Sequence, residues 1–426
     1  MNKVFDIKKF DLILLVLALS LLAVGFLFAR LTKKIPLVQP KNTTLVFTQW
    51  WQDEMEAETL SVLKTEFETL NPGVIVQLDN RSYTEILSAL RSSEDFPLES
   101  DILGLDPFWF EDMIRQDFLE PLDTYNPPDD PSQGYSTVPD QDYEKWGRHL
   151  ISFTSPLYYN IELLQSAGFD RPPKSRAEIL TYARTVTDRS AGQYAMVLAL
   201  SPENPQGIYR DFFSWILASG LSMTQEGRPD FSARAITGIL AFLKQLRQEG
   251  FLLPGTFSKT DADKREAFIQ GRTAMMISSV ADIHILRERM GESAFGITSV
   301  PGEPSFGGNP SLGLTSWYLG IPRSTEHKDK AWAFLSFLLE RGAFIAEKAH
   351  AVPGSRSTPI DFINEDPLYT KAYDMYTAGE TVREFIGVPR VDEFEAIVRD
   401  QIYALFEKDQ SPEETARHIR QRWEEL

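Results

Sequence analysis

Five tryptophans lie at predicted loops, strand ends or chain crossings: Trp50, Trp51, Trp109, Trp215 and Trp317. A flat indole ring stacks on the apolar face of another ring, and its N–H group can donate a hydrogen bond. Sugars combine apolar ring faces with polar edges, so aromatic rings beside polar groups suit a sugar-binding cleft. Each tryptophan alone could equally be a core residue, but the set of five favours a ligand site.

Four polar residues are candidates for binding hydroxyl groups at the rim of such a cleft. They are Asp106, Tyr209, Arg210 and Arg356. Asp106 ends a predicted strand, where it could either bind a ligand or cap a turn. Tyr209 and Arg210 precede a predicted helix. Arg356 could reach a ligand or only bind backbone carbonyl groups at a hinge.

The composition excludes several kinds of chemistry. The chain has no cysteine, which excludes disulfides, thiol nucleophiles and cysteine metal ligands. Its five histidines show no pair at metal-ligand spacing. The serine-hydrolase, phosphate-loop and zinc-protease motifs are absent. We therefore expect no metal, no cofactor and no catalytic residue, although a glycosidase carboxylate pair could not be recognised among 61 acidic residues.

The elements that must position these residues alternate between strands and helices. Strands are predicted at Thr44–Thr48, Val74–Leu78 and Asp101–Asp106, with amphipathic helices between them. A capping box is predicted at Asp53 with Glu56. The order indicates an α/β fold with a mostly parallel sheet, whose ligands bind beyond the carboxyl ends of the strands.

The second half of the chain continues the alternation. Ser175 with Glu178 and Ser411 with Glu414 read as helix-capping boxes. Gly271 stands where a helix must end before a strand at Ala274–Ile277. Trp332 and Trp423 lie within amphipathic helices and are predicted as core residues, so truncating Trp332 should cost stability. Truncating Trp317 should instead cost ligand affinity.

Five segments resemble, in the same order, the extracellular solute-binding proteins of ABC importers, in particular the maltodextrin-binding-like, carbohydrate-binding branch. They are the opening around Asn71-Pro72-Gly73, Leu157–Ser175, Gly271 with Ala274-Met275, Gly313–Pro322 and Ala351–Arg356. The likeness spans about residues 44–426. Adjacent Tyr158 and Tyr159 also occur in ferric-ion-binding relatives, but packing at a chain crossing is the favoured interpretation because partner ligands for iron are not evident.

The resemblance implies a two-lobed periplasmic-binding-protein fold with three inter-lobe crossings, near Phe153–Ser155, Gly313–Pro322 and Ala351–Arg356. We expect lobe 1 to comprise residues 42–154 with 316–350, and lobe 2 residues 155–315 with 351–426. The sequence departs from the family pattern in two places: Arg176 replaces the tryptophan usual after the Pro-Pro-Lys-Ser turn, and Ser219-Gly-Leu-Ser lacks the usual double glycine. The second departure affects the ligand class that is expected and not the fold.

The first 41 residues form a separate region, predicted as a membrane anchor and linker. Leu12–Ala29 is apolar apart from Ser20 and Gly25, and as a helix it would be about 27 Å long, enough for a bilayer core. A cleaved signal peptide is the alternative. The apolar run continues through Phe26–Ala29, which favours an uncleaved anchor, and the lack of cysteine excludes a lipid-anchored one.

The net charge of −18 excludes nucleic acid as a partner, because an acidic surface repels phosphates. The seven lysines and arginines of residues 1–41 outnumber two aspartates, so the rest of the chain is more acidic still. The resemblance implies an anchored, extracytoplasmic protein that captures a sugar and passes it to the permease subunits of an ABC importer. An extracytoplasmic glycan-processing enzyme and a sensory receptor with the same fold are the alternatives.

Overall fold

The computed structural model describes residues 42–425 with short gaps, and only 16, 20 and 22–24 before them. The gaps are 57, 93–95, 97, 126–144, 205, 222, 226–227, 230, 232–233, 304–307, 309, 311–312, 355–360 and 379–389. Two compact units are distinguished, Met1–Thr43 and Thr44–Leu426. The predicted anchor Leu12–Ala29 lies almost wholly outside the described residues. In the part of the chain that is described, no helix has both the length and the apolar content to span a membrane.

A six-stranded mixed sheet organises the first lobe, in the order β12-β4-β11-β3-β1-β2. Its strands are β1 (Thr43–Gln49), β2 (Val74–Asn80), β3 (Ile102–Leu105), β4 (Arg148–Ser155), β11 (Gly313–Gly320) and β12 (Val352–Pro353). β1 and β3 are parallel, with Phe47 opposite Ile102. β11 runs antiparallel to both β3 and β4. The first core, which includes Phe47, Leu103 and Phe334, packs against this sheet.

A four-stranded mixed sheet organises the second lobe, in the order β10-β5-β9-β6. Its strands are β5 (Leu157–Asn160), β6 (Tyr194–Met196), β9 (Thr273–Ile277) and β10 (Phe295–Thr298), and β7 (Thr224–Gln225) pairs separately with β8 (Arg228–Pro229). β5 is antiparallel to both β9 and β10, whereas β6 and β9 are parallel. A second core includes Phe213, Leu240 and Phe394.

Helices cover both sheets. In chain order they are α1 (Thr59–Leu70), α2 (Tyr83–Ser92), α3 (Phe110–Arg115), α4 (Ile161–Ser166), α5 (Arg176–Val186), α6 (Ser214–Leu217), α7 (Arg234–Gln248), α8 (Asp261–Ile269), α9 (Asp282–Met290), α10 (Lys328–Glu340), α11 (Gly342–Lys348), α12 (Asp361–Glu365), α13 (Pro367–Ala378), α14 (Val391–Glu407) and α15 (Pro412–Glu424).

The chain passes between the two sheets where the sequence predicts crossings. β4 belongs to the first sheet and β5, directly after Pro156, to the second. β10 belongs to the second sheet and β11 to the first. β12 lies in the first sheet, and α14 and α15 pack in the second core. The two-lobed fold is therefore present, while the residue boundaries expected for each lobe stay a prediction.

Local signals predicted several helix ends. Ser175 caps α5 by accepting a hydrogen bond from the backbone N–H of Glu178 at 3.1 Å, but the expected capping box is only half formed, because Glu178 accepts from the backbone N–H of Lys174 instead. Ser411 caps α15 in a reciprocal capping box with Glu414, as expected. Gly271 has a φ of +68°, the left-handed conformation that ends a helix and that glycine adopts without strain. The predicted start of α1 at Asp53 is wrong. Residues 51–53 form a short 3-10 turn, and α1 begins at Thr59 after Glu58, whose φ is 72°.

Candidate ligand-binding site

A pocket of about 560 Å³ lies between elements of the two lobes. Its first-lobe wall includes Trp50 after β1, Asp106 after β3 and Trp317 on β11. Its second-lobe wall includes Arg210 and Asp261. Because β1 and β3 are parallel neighbours, their carboxyl ends meet at one edge of the sheet, which brings Trp50 and Asp106 into the same wall.

Aromatic rings build the first-lobe wall. Trp50 contacts Tyr83 with ring centroids 5.4 Å apart, and both line the pocket. Trp317 stacks flat on Trp51, with centroids 4.7 Å apart and an interplanar angle of 7°. Phe153 meets Trp317 edge to face at 5.1 Å. These ring contacts hold the side chains in fixed orientations, which favours a preformed apolar surface.

Asp106 is the buried carboxyl of this wall. It caps the turn after β3 by accepting a hydrogen bond from the backbone N–H of Phe108 at 2.9 Å. The hydroxyl of Tyr83 donates to its other oxygen at 3.3 Å. Burial raises the pKa of Asp106 to about 7, with nearby Glu54 acting in the same direction. The predicted alternatives for Asp106 are therefore compatible, since it both caps a turn and lines the pocket.

A π-helical turn, Tyr209–Phe213, supplies the polar side of the second-lobe wall. Such turns hold one more residue than an α-helical turn and recur at functional sites. Arg210 lines the pocket and forms an ion pair with Asp261 at the start of α8. The Nε atom of Arg210 and the Oε1 atom of Gln206 are buried without a hydrogen-bond partner among the described residues. One unused donor and one unused acceptor thus belong to side chains of the same wall.

Behind Arg210 lies a chain of buried charges. The ammonium group of Lys264, which is fully buried, lies 3.0 Å from Asp211 and 2.9 Å from Asp261. Burial raises the pKa of Asp211 to about 6, with Lys264 acting against it. Burial would also raise the pKa of Asp261, but Lys264 and Arg210 outweigh burial and keep that pKa below its usual range. Asp261 therefore stays ionised between two cations.

Two histidines that line the pocket stack on each other. His284 of α9 and His350, just after α11, have ring centroids 4.2 Å apart and an interplanar angle of 10°. Burial, and then the neighbouring His284, lower the pKa of His350. His350 also has a φ of 52°, which is uncommon for a residue other than glycine.

The family model of the bacterial extracellular solute-binding proteins matches residues 47–343, more than half of the chain. The chain belongs to this family. A binding protein of Brucella abortus is 22% identical over 282 residues, which cover 66% of this chain and 68% of the relative.

Solved structures of solute-binding proteins have the same fold. The sugar-binding protein MalE of Xanthomonas citri is 20% identical, with a TM-score of 0.73 over 90% of this chain and 97% of that one. The GacH receptor of Streptomyces glaucescens, known in complex with acarbose, is 18% identical, with a TM-score of 0.70 over 90% and 97% of the two chains. Family members are non-catalytic extracellular binding proteins, so the alternative of a glycan-processing enzyme is set aside.

Four of the predicted site residues of this solute-binding protein line one pocket: Trp50, Asp106, Arg210 and Trp317. Five do not contribute to the described lining. Trp51 lies beneath Trp317, and Trp109 lies behind Trp50 at 5.1 Å. Tyr209 is 3% exposed and packs against Phe108. Trp215 is completely buried against Phe242 in the second core. Arg356 lies outside the described residues.

Sequence reasoning missed three polar or charged residues in or behind the pocket wall of this solute-binding protein. Gln206, Asp261 and Lys264 gave no motif, because their importance depends on elements brought together by the fold. The only local hint is the spacing of Asp261 and Lys264, three residues apart at the start of one helix, where side chains share a face. Tyr158 is a packing residue, since its buried hydroxyl donates to the carbonyl of Ser279 at 2.6 Å.

Proposed function

We propose that the protein captures a sugar or oligosaccharide between its two lobes and delivers it to an ABC importer. One observation carries this proposal: a single pocket combines aromatic rings on one wall with unused hydrogen-bonding atoms on the other. Trp50 and Trp317 offer apolar contact, while Arg210 and Gln206 each carry a buried polar atom, one donor and one acceptor, that has no hydrogen-bond partner among the described residues. A sugar hydroxyl both donates and accepts, so this combination matches its chemistry.

The sugar receptors with the same fold support the choice of ligand class, since MalE is a sugar-binding protein and GacH binds acarbose. Contacts between the lobes support capture by closure. Phe108 of the first lobe meets Tyr209 of the second with ring centroids 5.5 Å apart, and Arg91 of α2 pairs with Asp392 of α14. A ligand that contacts both walls favours the closed arrangement over an open one.

We also propose that Leu12–Ala29 anchors the protein, with its body on the extracytoplasmic side. The apolar length of this segment and the lack of a cysteine for lipid attachment support the proposal. The full chain should then stay in the membrane fraction with its own N-terminus, whereas a chain of residues 42–426 should not. A mature N-terminus near Phe26 in a mass spectrum would show a cleaved signal peptide instead.

A thermal-shift screen of the full chain tests the ligand class. The panel should contain neutral malto-, cello- and galacto-oligosaccharides, with amino acids and short peptides as comparison ligands. A true ligand at a hundred times its Kd stabilises the folded protein by about 2.7 kcal/mol. The melting temperature of the protein therefore rises with the ligand concentration. Isothermal titration then gives the Kd. A response to amino acids or peptides and to no sugar would contradict the proposal.

A sensory receptor and an importer component differ in the process that is lost when the gene is deleted: the response to the sugar or its uptake. If it serves an importer, deleting the gene should abolish uptake of the identified sugar. A strain that keeps its uptake and loses only a response to that sugar would point to a sensor.

A further inference from the structure

The charges around the pocket are arranged unevenly. Among the described residues that line it, five are carboxylates and three are arginines or lysines. Each of the three cations lies within ion-pair distance of a lining carboxylate. The pairs are Arg210 with Asp261, Arg265 with Asp282 at 2.7 Å, and Lys348 with Glu56 at 3.1 Å. The cations are thus neutralised by the pocket's own acids, and the excess charge is negative.

Asp261 is the residue that fixes this arrangement at the polar wall. It is shared between Arg210, which lines the pocket, and Lys264, which has no exposed surface. Because two cations hold it ionised, Asp261 remains charged at every physiological pH and continuously offsets the charge of Arg210. Arg210 therefore keeps an N–H group without a hydrogen-bond partner among the described residues, while its positive charge is offset by Asp261.

The opposite wall does not compensate the charge of an anion either. Asp106 is 4% exposed, and burial together with neighbouring Glu54 raises its pKa to about 7, so this carboxyl is partly ionised at neutral pH and mostly ionised at pH 8. An anionic group that entered the pocket would lose its hydration and find each of the three lining cations already paired with a carboxylate, whereas a desolvated charge needs a partner of opposite sign. A hydroxyl group meets no such penalty.

We infer that the pocket rejects glycans with acidic groups and accepts uncharged ones, and that Asp261, held in place by Lys264, determines this specificity. The inference rests on the proposed sugar-binding function and narrows its ligand class. The physical reason is that the guanidinium of Arg210 already forms an ion pair with a carboxylate of the protein, that of Asp261. Removing that carboxylate should turn the same arginine into a site for an anion.

Asp261→Asn in the full chain tests this directly. The amide preserves the shape of the side chain and removes its charge, while Lys264 keeps its second partner, Asp211. The probes are the neutral oligosaccharide identified in the screen and oligogalacturonates with the same number of rings, measured by isothermal titration. The natural chain should bind the neutral sugar and not the uronate. The variant should bind the uronate at least about tenfold more tightly than the natural chain does, from one charge-assisted hydrogen bond.

Two further variants make the result decisive. Asp366→Asn removes a carboxylate that pairs with Arg287 at 2.5 Å and does not line the pocket, so it should leave uronate binding unchanged. Asp106→Asn removes a negative charge from the opposite wall when binding is measured at pH 8, where Asp106 is mostly ionised, and the amide oxygen can still cap the turn. It should weaken the rejection of uronate, even if Asp261→Asn fails to fold.

The outcomes separate the inference from the proposed function. If the natural chain binds neutral sugar and uronate equally well, the inference is wrong and the sugar-binding function stands. The inference is also wrong if the folded Asp261→Asn variant keeps rejecting uronate, whatever Asp106→Asn does. If the natural chain binds no glycan at all, the proposed function fails and the inference fails with it.

Discussion

At the scale of single residues, Trp317 has two roles that conflict in a mutation experiment. It lines the pocket, yet only 3% of it is exposed, because it stacks on Trp51 and meets Phe153. A residue so enclosed contributes to the core of the first lobe as well as to the ligand site. The sequence indicated only the second role, since the position of an aromatic ring along a strand does not reveal how many neighbours cover it.

Trp317→Ala should therefore lower stability, which changes the expectation drawn from sequence. Removing an enclosed tryptophan costs about 3–5 kcal/mol of unfolding free energy, because the cavity left behind is only partly refilled. Chemical denaturation of both chains measures the difference. Trp332→Ala is the matched control: that ring is half-buried and stacks on Tyr125 at 5.5 Å, so its loss should cost less. Equal stability of Trp317→Ala and the natural chain would contradict this.

The sequence predicted those site residues whose position depends on a single strand or turn, and it missed those that depend on two elements meeting in the fold. Trp50 and Asp106 directly follow strands, and the rule for parallel sheets was sufficient to place them at one edge. Trp215 also lies at a predicted element end, but it is buried in the second core. Its position along the sequence does not reveal whether its side of the helix faces the pocket or the core. The Lys264 charge chain depends on α8 meeting the π-helical turn, which no local pattern reports.

At the scale of elements, α14 brings an ionisable side chain to the back of the pocket wall. Glu395 is 7% exposed, and its Oε1 atom has no hydrogen-bond partner among the described residues. Burial raises the pKa of Glu395 to about 8; Arg399 opposes this shift and Asp106 adds to it. The helix begins near Arg390 and packs in the second core, so the carboxyl is buried as a consequence of how the whole helix docks.

The stability of the protein should consequently depend on pH through Glu395. Its pKa is higher in the folded chain than its ordinary value of 4.5, so the folded chain binds more protons between pH 4.5 and 8. The contribution of Glu395 to stability is greatest at the acidic end of this window and falls as the pH rises, by at most about 1.4 kcal/mol per pH unit. Glu395→Gln should reduce this slope in denaturation curves recorded across the window.

Glu393→Gln serves as the control for this measurement, since Glu393 lies on the same helix, is partly exposed and pairs with Arg390. It should keep the slope of the natural chain. Other groups, including Asp106, also titrate in this window, so the difference between the two variants is the informative quantity. If Glu395→Gln and Glu393→Gln give the same profile, burial of the carboxyl has no consequence for stability.

Helix ends show where sequence reasoning about elements succeeds and where it fails. The capping boxes need only four consecutive residues, and Ser411 with Glu414 formed as predicted. Asp53 with Glu56 has the same spacing, but the chain there forms a 3-10 turn whose tryptophans pack into the first core. Burial of Trp50 and Trp51 therefore overrode a local preference worth about 1 kcal/mol.

At the scale of the whole molecule, the order of strands and helices predicted the α/β class, and the family resemblance implied the two-lobed fold. The prediction of a mostly parallel sheet is wrong, because both sheets are mixed: β11 runs antiparallel to β3 and β4, and β5 to β9 and β10. The crossing strands were also predictable, through their resemblance to the family. The contacts that join the lobes were not, because they connect residues far apart in the sequence. Arg91 and Asp392 are separated by 301 positions, and nothing in either neighbourhood marks them as partners.

The ion pair between Arg91 and Asp392 allows a test of closure that leaves the pocket itself untouched. Each side chain is 35% exposed, so the pair contributes about 0.2–1 kcal/mol, typical of partly solvated ion pairs. Separation of the lobes breaks the pair, and its free energy therefore favours the closed state alone. If a sugar binds by closing the lobes, Arg91→Ala should weaken its apparent affinity by up to about fivefold.

Arg115→Ala is the matched control for this test, because Arg115 pairs with Glu111 at 2.6 Å within α3 and no inter-lobe contact is removed. Titration with the identified sugar should show weaker binding for Arg91→Ala alone, and small-angle scattering should show a larger radius for that variant before sugar is added. A saturating sugar concentration should then restore the radius of the natural chain, because ligand binding compensates for the lost pair. If the two variants bind equally well and have equal radii, the contact between α2 and α14 does not contribute to closure.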